Sequence, residues 1–427
     1  MQAMTGRLLS GTHRMFGSLQ TRNYRLFATG QVISNTGSWM QRVAQDWLVL
    51  QLTHGSGTAL GITTGLQFLP LLLFSLWGGM LADRYSKRRI LMVTQTVMGG
   101  LALILGLLAI TGTVQIWHVY ALAFGLGLAT VVDNPTRQAF AVEMVGRDQM
   151  PNAIALNSAV FNLARIAGPA VAGLVISLVG TPTAFLINAA SFAAVLIGLK
   201  LMHEEELHPA QPVPRAKGQL REGLRYVRSR PGLWVSMVLV FFVATFGMNF
   251  QVVNPLMSRQ VFHTGAGAFG LASTMFAVGA LGGALLAARR SRPGLPLLLL
   301  TGCAFGLLEM LTGVMPTFLA FLLLLVPTGM AVITFSTSAN SATQLSTSAE
   351  MRGRVMGIYM LMFLGGAPIG SPLAGWLAEQ YGARMTMVAG GLVSVLATAV
   401  AAFVLSRGRG VRMLPYLRPA RLARLMV

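Results

Sequence analysis

The sequence predicts an all-α integral membrane protein with twelve membrane-spanning helices in two pseudo-symmetric six-helix bundles. Three observations carry this. Only 10% of the 427 residues are charged and 54% are hydrophobic, where a soluble domain has roughly 25% charged. Twelve stretches reach the roughly 20 mostly apolar residues that a spanning helix needs. One long polar stretch, 202–231, separates six of them from the other six. The same hydrophobicity excludes intrinsic disorder.

Taken in order, the expected spans are 24–50, 58–81, 90–111, 117–140, 152–178 and 182–201. After the central loop come 232–254, 268–288, 294–314, 317–342, 352–377 and 384–405. Short linkers carrying Gly, Pro or charge separate them, as turns between helices do. Five pieces result: a cytoplasmic segment 1–23, a bundle 24–201, a cytoplasmic loop 202–231, a bundle 232–405 and a basic tail 406–427. The first piece lacks the short apolar run and small-residue cleavage site of a signal peptide. Within the central loop, Leu220, Leu224 and Val227 fall on one helical face. Arg221, Arg225 and Arg228 lie opposite, a pattern suited to the membrane surface.

The net charge is +20, which in a soluble chain would suggest nucleic acid. Its distribution gives another reading. With the N-terminus inside, 27 of the 32 basic residues fall on the cytoplasmic side, and the outer loops hold only Arg259 and Arg384. Positive charge on inner loops sets orientation. Both termini are therefore expected in the cytoplasm of a plasma (inner) membrane protein that contacts lipid, not nucleic acid.

Several chemistries have no supporting residues. The single cysteine, Cys303, cannot form an internal disulfide. The six histidines show no metal-binding spacing, and neither a phosphate-binding loop nor a nucleophile elbow is present. No metal, cofactor or enzymatic activity is expected.

A weak internal repeat relates 146–183 to 348–385. Gly168 and Gly173 correspond to Gly370 and Gly375, and Gly180 to Gly382. Paired six-helix halves are the mark of a secondary transporter with its substrate site between them.

Ionisable groups at bilayer depth cost about 2.5–3.5 kcal/mol each on insertion scales, and so usually mark function. Six are expected there: Arg42, Asp46, Asp133, Arg137, Arg165 and Glu309. Gln31, Asn35, Ser38, Arg42 and Asp46 recur every three or four residues and so share one helical face. Arg42 and Asp46 are spaced to pair, as are Asp133 and Arg137. Segment five adds Asn162, segment seven Asn249, and segment ten Thr337 and Ser341. Asp46 is the first candidate for a proton-responsive carboxylate, since burial favours the neutral acid and Arg42 the charged form. Asp133 and Arg137 read as an inner gate. Glu309, near the outer end of segment nine, reads as a snorkelling or structural residue.

The loop after segment two reads GMLADRYSKRR over 79–89. It resembles motif A of the major facilitator superfamily, with Gly79, Asp83, Arg84, Lys87 and Arg88 in place and Ser86 where glycine is usual. The matching loop at 283–290 has Ala287 at the Asp position. Gly168, Pro169 and Gly173 resemble the antiporter motif of exporters, with Ala172 replacing one glycine. DNPTRQAF at 133–140, RIAGP at 165–169 and EMRGRVMG at 350–357 are similar to the bacterial branch that includes the enterobactin exporter. The resemblance implies alternating access by a monomer that moves a small amphipathic molecule outward in exchange for protons, with Asp83 as a gating latch. A lipid or lysolipid flippase on the same fold and a transport-inactive membrane scaffold or receptor are the alternatives.

Overall fold

The computed structural model describes residues 17–208, 219–289 and 294–409. Most of the expected N-terminal segment, the middle of the central loop and most of the basic tail lie outside these residues. Among the described residues there are helices and no strands. The first half contains α1 (Arg22–Leu52), α2 (Gly57–Arg84), α3 (Lys87–Ile110), α4 (Ile116–Gly146), α5 (Asp148–Val179) and α6 (Thr181–Lys200). Next comes α7 (Gln219–Arg228). The second half contains α8 (Pro231–Phe242), α9 (Phe250–Leu256), α10 (Ala266–Ala288), α11 (Leu295–Gly313), α12 (Phe318–Leu345), α13 (Arg352–Leu364), α14 (Ala367–Tyr381) and α15 (Ala383–Arg409).

Eleven stretches are long and apolar enough to cross a membrane, counting Pro231–Val261 and Arg352–Tyr381 as one each. The twelfth span, α1, is 31 residues long, about 46 Å at the helical rise. Its polar stripe keeps it below the apolar threshold.

Three features depart from twelve plain helices. The α4–α5 junction is a single residue wide. Gly146 takes φ 71° with nothing near its Cβ position, so the demand for glycine there is conformational. Segment seven is broken: α8 passes into a π-turn at Val243–Gly247, and the chain leaves the helix at Met248 and Asn249 before α9. Segment eleven is interrupted at Gly365 and Gly366, between α13 and α14.

The chain divides into two compact units. Unit 1 comprises 1–48 and 73–214, and unit 2 comprises 49–72 and 215–427. The core of unit 1 joins Tyr24, Phe27, Leu91, Phe140, Met144, Val195 and Leu199, with Phe27 edge-on to Phe140. In unit 2, glycines bring backbones together. Gly279 and Gly283 of α10 meet Val326 and Met330 of α12, and Gly306 of α11 meets Gly391 of α15. Residues 49–72 group with unit 2 because Gly57, Gly61 and Gly65 of α2 lie against Gly375, Ser371 and Pro372 of α14. There Glu379 accepts hydrogen bonds from the Ser56 hydroxyl and the Thr58 amide, both 2.9 Å. That satisfies one orphan donor at the N-terminus of α2.

Helix α7 packs against α13. Val227 is fully buried, Gly223 lies on Ile358 and Arg354, and Arg354 pairs with Glu222 at 2.7 Å. Val227 of the face read as membrane-seeking is therefore used on protein, and Leu224 is half-buried. Arg221, Arg225 and Arg228 remain exposed.

Candidate functional site

The densest polar cluster in unit 1 forms where α1, α3 and α4 meet. Asp133, 1% exposed, pairs with Arg137 one turn along α4. Its other oxygen accepts from Thr94 Oγ1 (2.7 Å) and Gln95 Nε2 (2.8 Å) of α3. Arg137 Nη1 donates to Gln31 Oε1 (2.7 Å) and Asn35 Oδ1 (3.0 Å) of α1. A buried charge pair is tolerable only when its remaining hydrogen-bonding capacity is met, and four side chains supply most of it here. Three buried atoms stay open: Arg137 Nε, Gln31 Nε2 and Gln95 Oε1. A site that must exchange partners needs such spare capacity.

The stripe on α1 therefore splits. Gln31 and Asn35 serve Arg137. Ser38 and Arg42 are half-buried and Asp46 is buried, 8% exposed. The ion pair that the spacing allows between Arg42 and Asp46 is not formed. The Arg42 guanidinium instead lies 4.6 Å from the Trp39 ring centroid, a cation–π contact. Arg165 is half-buried with an unpartnered Nε. Asn162 donates to Ser158 O of its own helix, 2.8 Å.

The antiporter-like motif has a packing cause. A Cβ on Gly168 would collide with Trp39 Cβ and come within 3.0 Å of Thr36 O, so α5 can approach α1 here only with glycine. Pro169 and Gly173 are buried beside it.

At the motif A loop, the lysine and one arginine are bound. Lys87 Nζ lies 2.7 Å from Glu143 of α4. Arg88 donates to Leu199 O (2.7 Å) and Lys200 O (3.2 Å) at the C-terminus of α6 and pairs with Glu204. A cation on terminal carbonyls is favoured by the helix dipole. Asp83 and Arg84 are exposed and Gly79 half-buried. The close approach in this stretch is made by Gly78, next to Gly79; a Cβ on Gly78 would strike the Val131 backbone.

A family model described as a transmembrane secretion effector, of the major facilitator superfamily, matches residues 14–412. The chain belongs to this family. It is a multi-pass membrane transporter and not an enzyme. The staphyloferrin A transporter of Staphylococcus aureus is 26% identical over 385 residues, covering 89% of this chain and 96% of that protein. The multidrug efflux pump Tap of Mycobacterium tuberculosis is 29% identical over 392 residues, 85% of this chain and 88% of the pump. Among solved structures, the nucleoside transporter NupG aligns at TM-score 0.71 and 12% identity over 90% of this chain and 99% of its own. A bacterial homolog of Spinster aligns equally well, at 15% identity over 90% and 97%. These two establish the fold.

In unit 2 the transporter presents no charged pair at the residues the sequence singled out. Asn249 Nδ2 donates to Thr245 O (2.7 Å), closing the break in segment seven, and its Oδ1 accepts from Ser371 at 3.1 Å. Thr337 returns its hydroxyl to Ile333 O of its own helix, 2.8 Å, and Ser341 is half-buried.

Sequence reasoning missed Thr94, Gln95 and Glu143. The first two were legible as adjacent polar residues inside apolar segment three. Glu143 was lost because α4 continues to Gly146, past the expected end at 140. The Gln41–Asn188 hydrogen bond between α1 and α6 has no signal in a single sequence.

Proposed function

We propose that this transporter exports a small amphipathic molecule across the plasma membrane by alternating access, as a monomer with both termini in the cytoplasm, in exchange for protons. The carrying observation is the match over most of the chain to relatives named as a siderophore transporter and a multidrug efflux pump. A macrolide efflux protein of Streptococcus pyogenes, 22% identical over 86% of this chain and 92% of its own, agrees in direction. In this reading Asp46 loads and releases the proton, with Arg42 tuning it. Asp133 and Arg137, with Gln31 and Asn35, form a gate whose partners exchange as access alternates. Gly79, Asp83, Arg84, Lys87 and Arg88 act as the latch on the inner side.

Inverted membrane vesicles with an imposed pH gradient test this. Uptake of a siderophore or drug found in an accumulation screen should collapse when the gradient is dissipated. In Asp46→Asn it should fall to background at normal expression. Undiminished uptake by Asp46→Asn would remove Asp46 from the proton path. Uptake indifferent to the gradient would remove proton exchange altogether.

A further inference from the structure

Glu309 on α11 has no part in the scheme above, and the snorkelling expected of it does not occur. The side chain is 4% exposed and its Oε2 is buried without a hydrogen-bond partner. It makes no ion pair among the described residues. The elements packed against α11 are α15, α12, the π-turn at Val243–Gly247 and, through Phe250 on Phe305, α9. None of α12, α9 and the π-turn contains a titratable residue, and α11 itself adds only Cys303. Helix α15 carries Arg384 near one end and Arg407 and Arg409 at the other. Arg384 is engaged with Gly313 O (3.1 Å) and Met315 O (2.6 Å). It lies six residues from Gly390, the glycine that Glu309 touches, about 9 Å along the helix. Arg407 is about 25 Å beyond that glycine by the same rise.

The carboxyl sits where segment seven breaks. A Cβ on Gly247, the last residue of the π-turn, would stand 2.5 Å from Ser394 Oγ, 2.8 Å from Phe305 and 3.1 Å from Glu309 Oε2, and the Ser394 hydroxyl donates to Gly390 O at 2.9 Å. A Cβ on Gly390 would stand 2.9 Å from Glu309 Oε1 and 2.7 Å from the Phe246 carbonyl oxygen. The acid and that carbonyl therefore flank one point. The same Phe246 carbonyl accepts a long bond from Asn249 Nδ2, 3.3 Å, and Thr245 Oγ1 beside it is buried and unpartnered.

An ionised carboxylate here would be a buried charge without counter-charge, a heavily penalised arrangement. A neutral acid beside Gly390 has an O–H to donate to the Phe246 carbonyl, which accepts. Two glycines and Phe305 close in on the group, so the space suits a proton and not a hydrated cation.

We propose that Glu309 is a proton-binding site of unit 2, loaded in this conformation, with its O–H directed to the Phe246 carbonyl at the break in segment seven. Release breaks the O–H bond, leaves the electron pair on the carboxylate and passes the proton to water. It requires the break to move and admit water. Segment seven is thereby tied to proton occupancy at a site separate from Asp46, and the inference stands even if Asp46 carries no proton.

The test uses the purified full-length protein in lipid nanodiscs and infrared difference spectroscopy across a pH titration. The expected result is a protonated-carboxyl band at neutral pH that shifts in D₂O, is lost in Glu309→Gln and returns displaced in Glu309→Asp. Hydrogen exchange over 243–256 should rise as the wild-type band disappears at alkaline pH, and stay flat in Glu309→Gln. A neutral-pH band of equal intensity in wild type and Glu309→Gln would overturn the proposal. So would loss of the band on replacing N-methylglucamine with sodium at constant pH, which would make it a cation site. If Glu309→Gln does not fold, absence of any protonated-carboxyl band from the wild type at neutral pH overturns it equally.

Discussion

In unit 1 Asp133 is held in a bonded pair within a polar cluster, whereas in unit 2 Glu309 stands without an ion pair beside a broken helix. Both arrangements satisfy the rule that a charge away from water must be compensated. Unit 1 compensates Asp133 with Arg137 and four further side chains on two other helices. Unit 2 places glycines, Phe305, the Ser394 hydroxyl and a backbone carbonyl around Glu309 and no counter-charge, which favours the neutral acid. The pair can switch by exchanging partners while the charges persist. The lone acid can switch only by gaining or losing its proton. The Asp133–Arg137 pair and Glu309 are therefore chemically different devices, one in each half, despite the sequence repeat that relates those halves.

The largest effect should come from unbalancing the pair. Asp133→Asn strands the Arg137 guanidinium, and breaking a buried ion pair from one side costs about 3–5 kcal/mol. Thermal unfolding in detergent should show that loss, with transport abolished. Asp133→Asn combined with Arg137→Gln removes both charges and should recover most of the stability without transport. A double variant as unstable as the single one would mean the cluster is held by geometry and not by charge balance.

Next are the glycine contacts, which occur in both units with different partners. A Cβ on Gly375 of α14 would come 2.8 Å from the Gly57 carbonyl carbon and 3.1 Å from Gly61 Cα, backbone that cannot rotate away. A Cβ on Gly168 of α5 would come 3.0 Å from Thr36 O and 3.1 Å from Met40 N. Overpacking of this kind costs about 1–3 kcal/mol. Gly375→Ala and Gly168→Ala should each lower the melting temperature and slow vesicle uptake. Full activity in Gly168→Ala would show that α1 and α5 have room to separate.

How much of this was readable without coordinates follows from the physics of each signal. Spans were legible because lipid demands about 20 apolar residues, and the helix ends were not, because apolar residues continue past the last turn. That is why α4 outran its expected end and took Glu143 with it. Asp133 and Arg137 were legible as a pair because i,i+4 spacing on one helix fixes proximity. Their partners on α1 and α3 depend on helix rotation, which no single sequence encodes. Arg42 and Asp46 have the same spacing and do not pair, since Trp39 offers the guanidinium an alternative one turn away. Glu309 was visible as a residue, but of the snorkelling and structural readings nothing in the sequence excluded snorkelling, because its burial depends on glycines from two other segments.

The smallest predicted effect separates hydrogen bonds that join helices from those that stay within one. Thr94 reaches across from α3 to Asp133, whereas Thr337 bonds the carbonyl four residues back in α12. Interhelical hydrogen bonds in membrane proteins average about 0.6 kcal/mol, with a maximum near 1.7. Thr94→Val, nearly equal in volume, should cost about that much and shift the gate, since Asp133 then keeps only Gln95 and Arg137. Thr337→Val should leave unfolding unchanged, because helix backbone groups already satisfy each other. Chemical unfolding of both variants side by side reads the difference. A larger loss in Thr337→Val would place that hydroxyl in a working contact of unit 2 and remove the contrast between a polar, cross-linked first unit and a second whose singled-out polar groups bond mainly within their own helices.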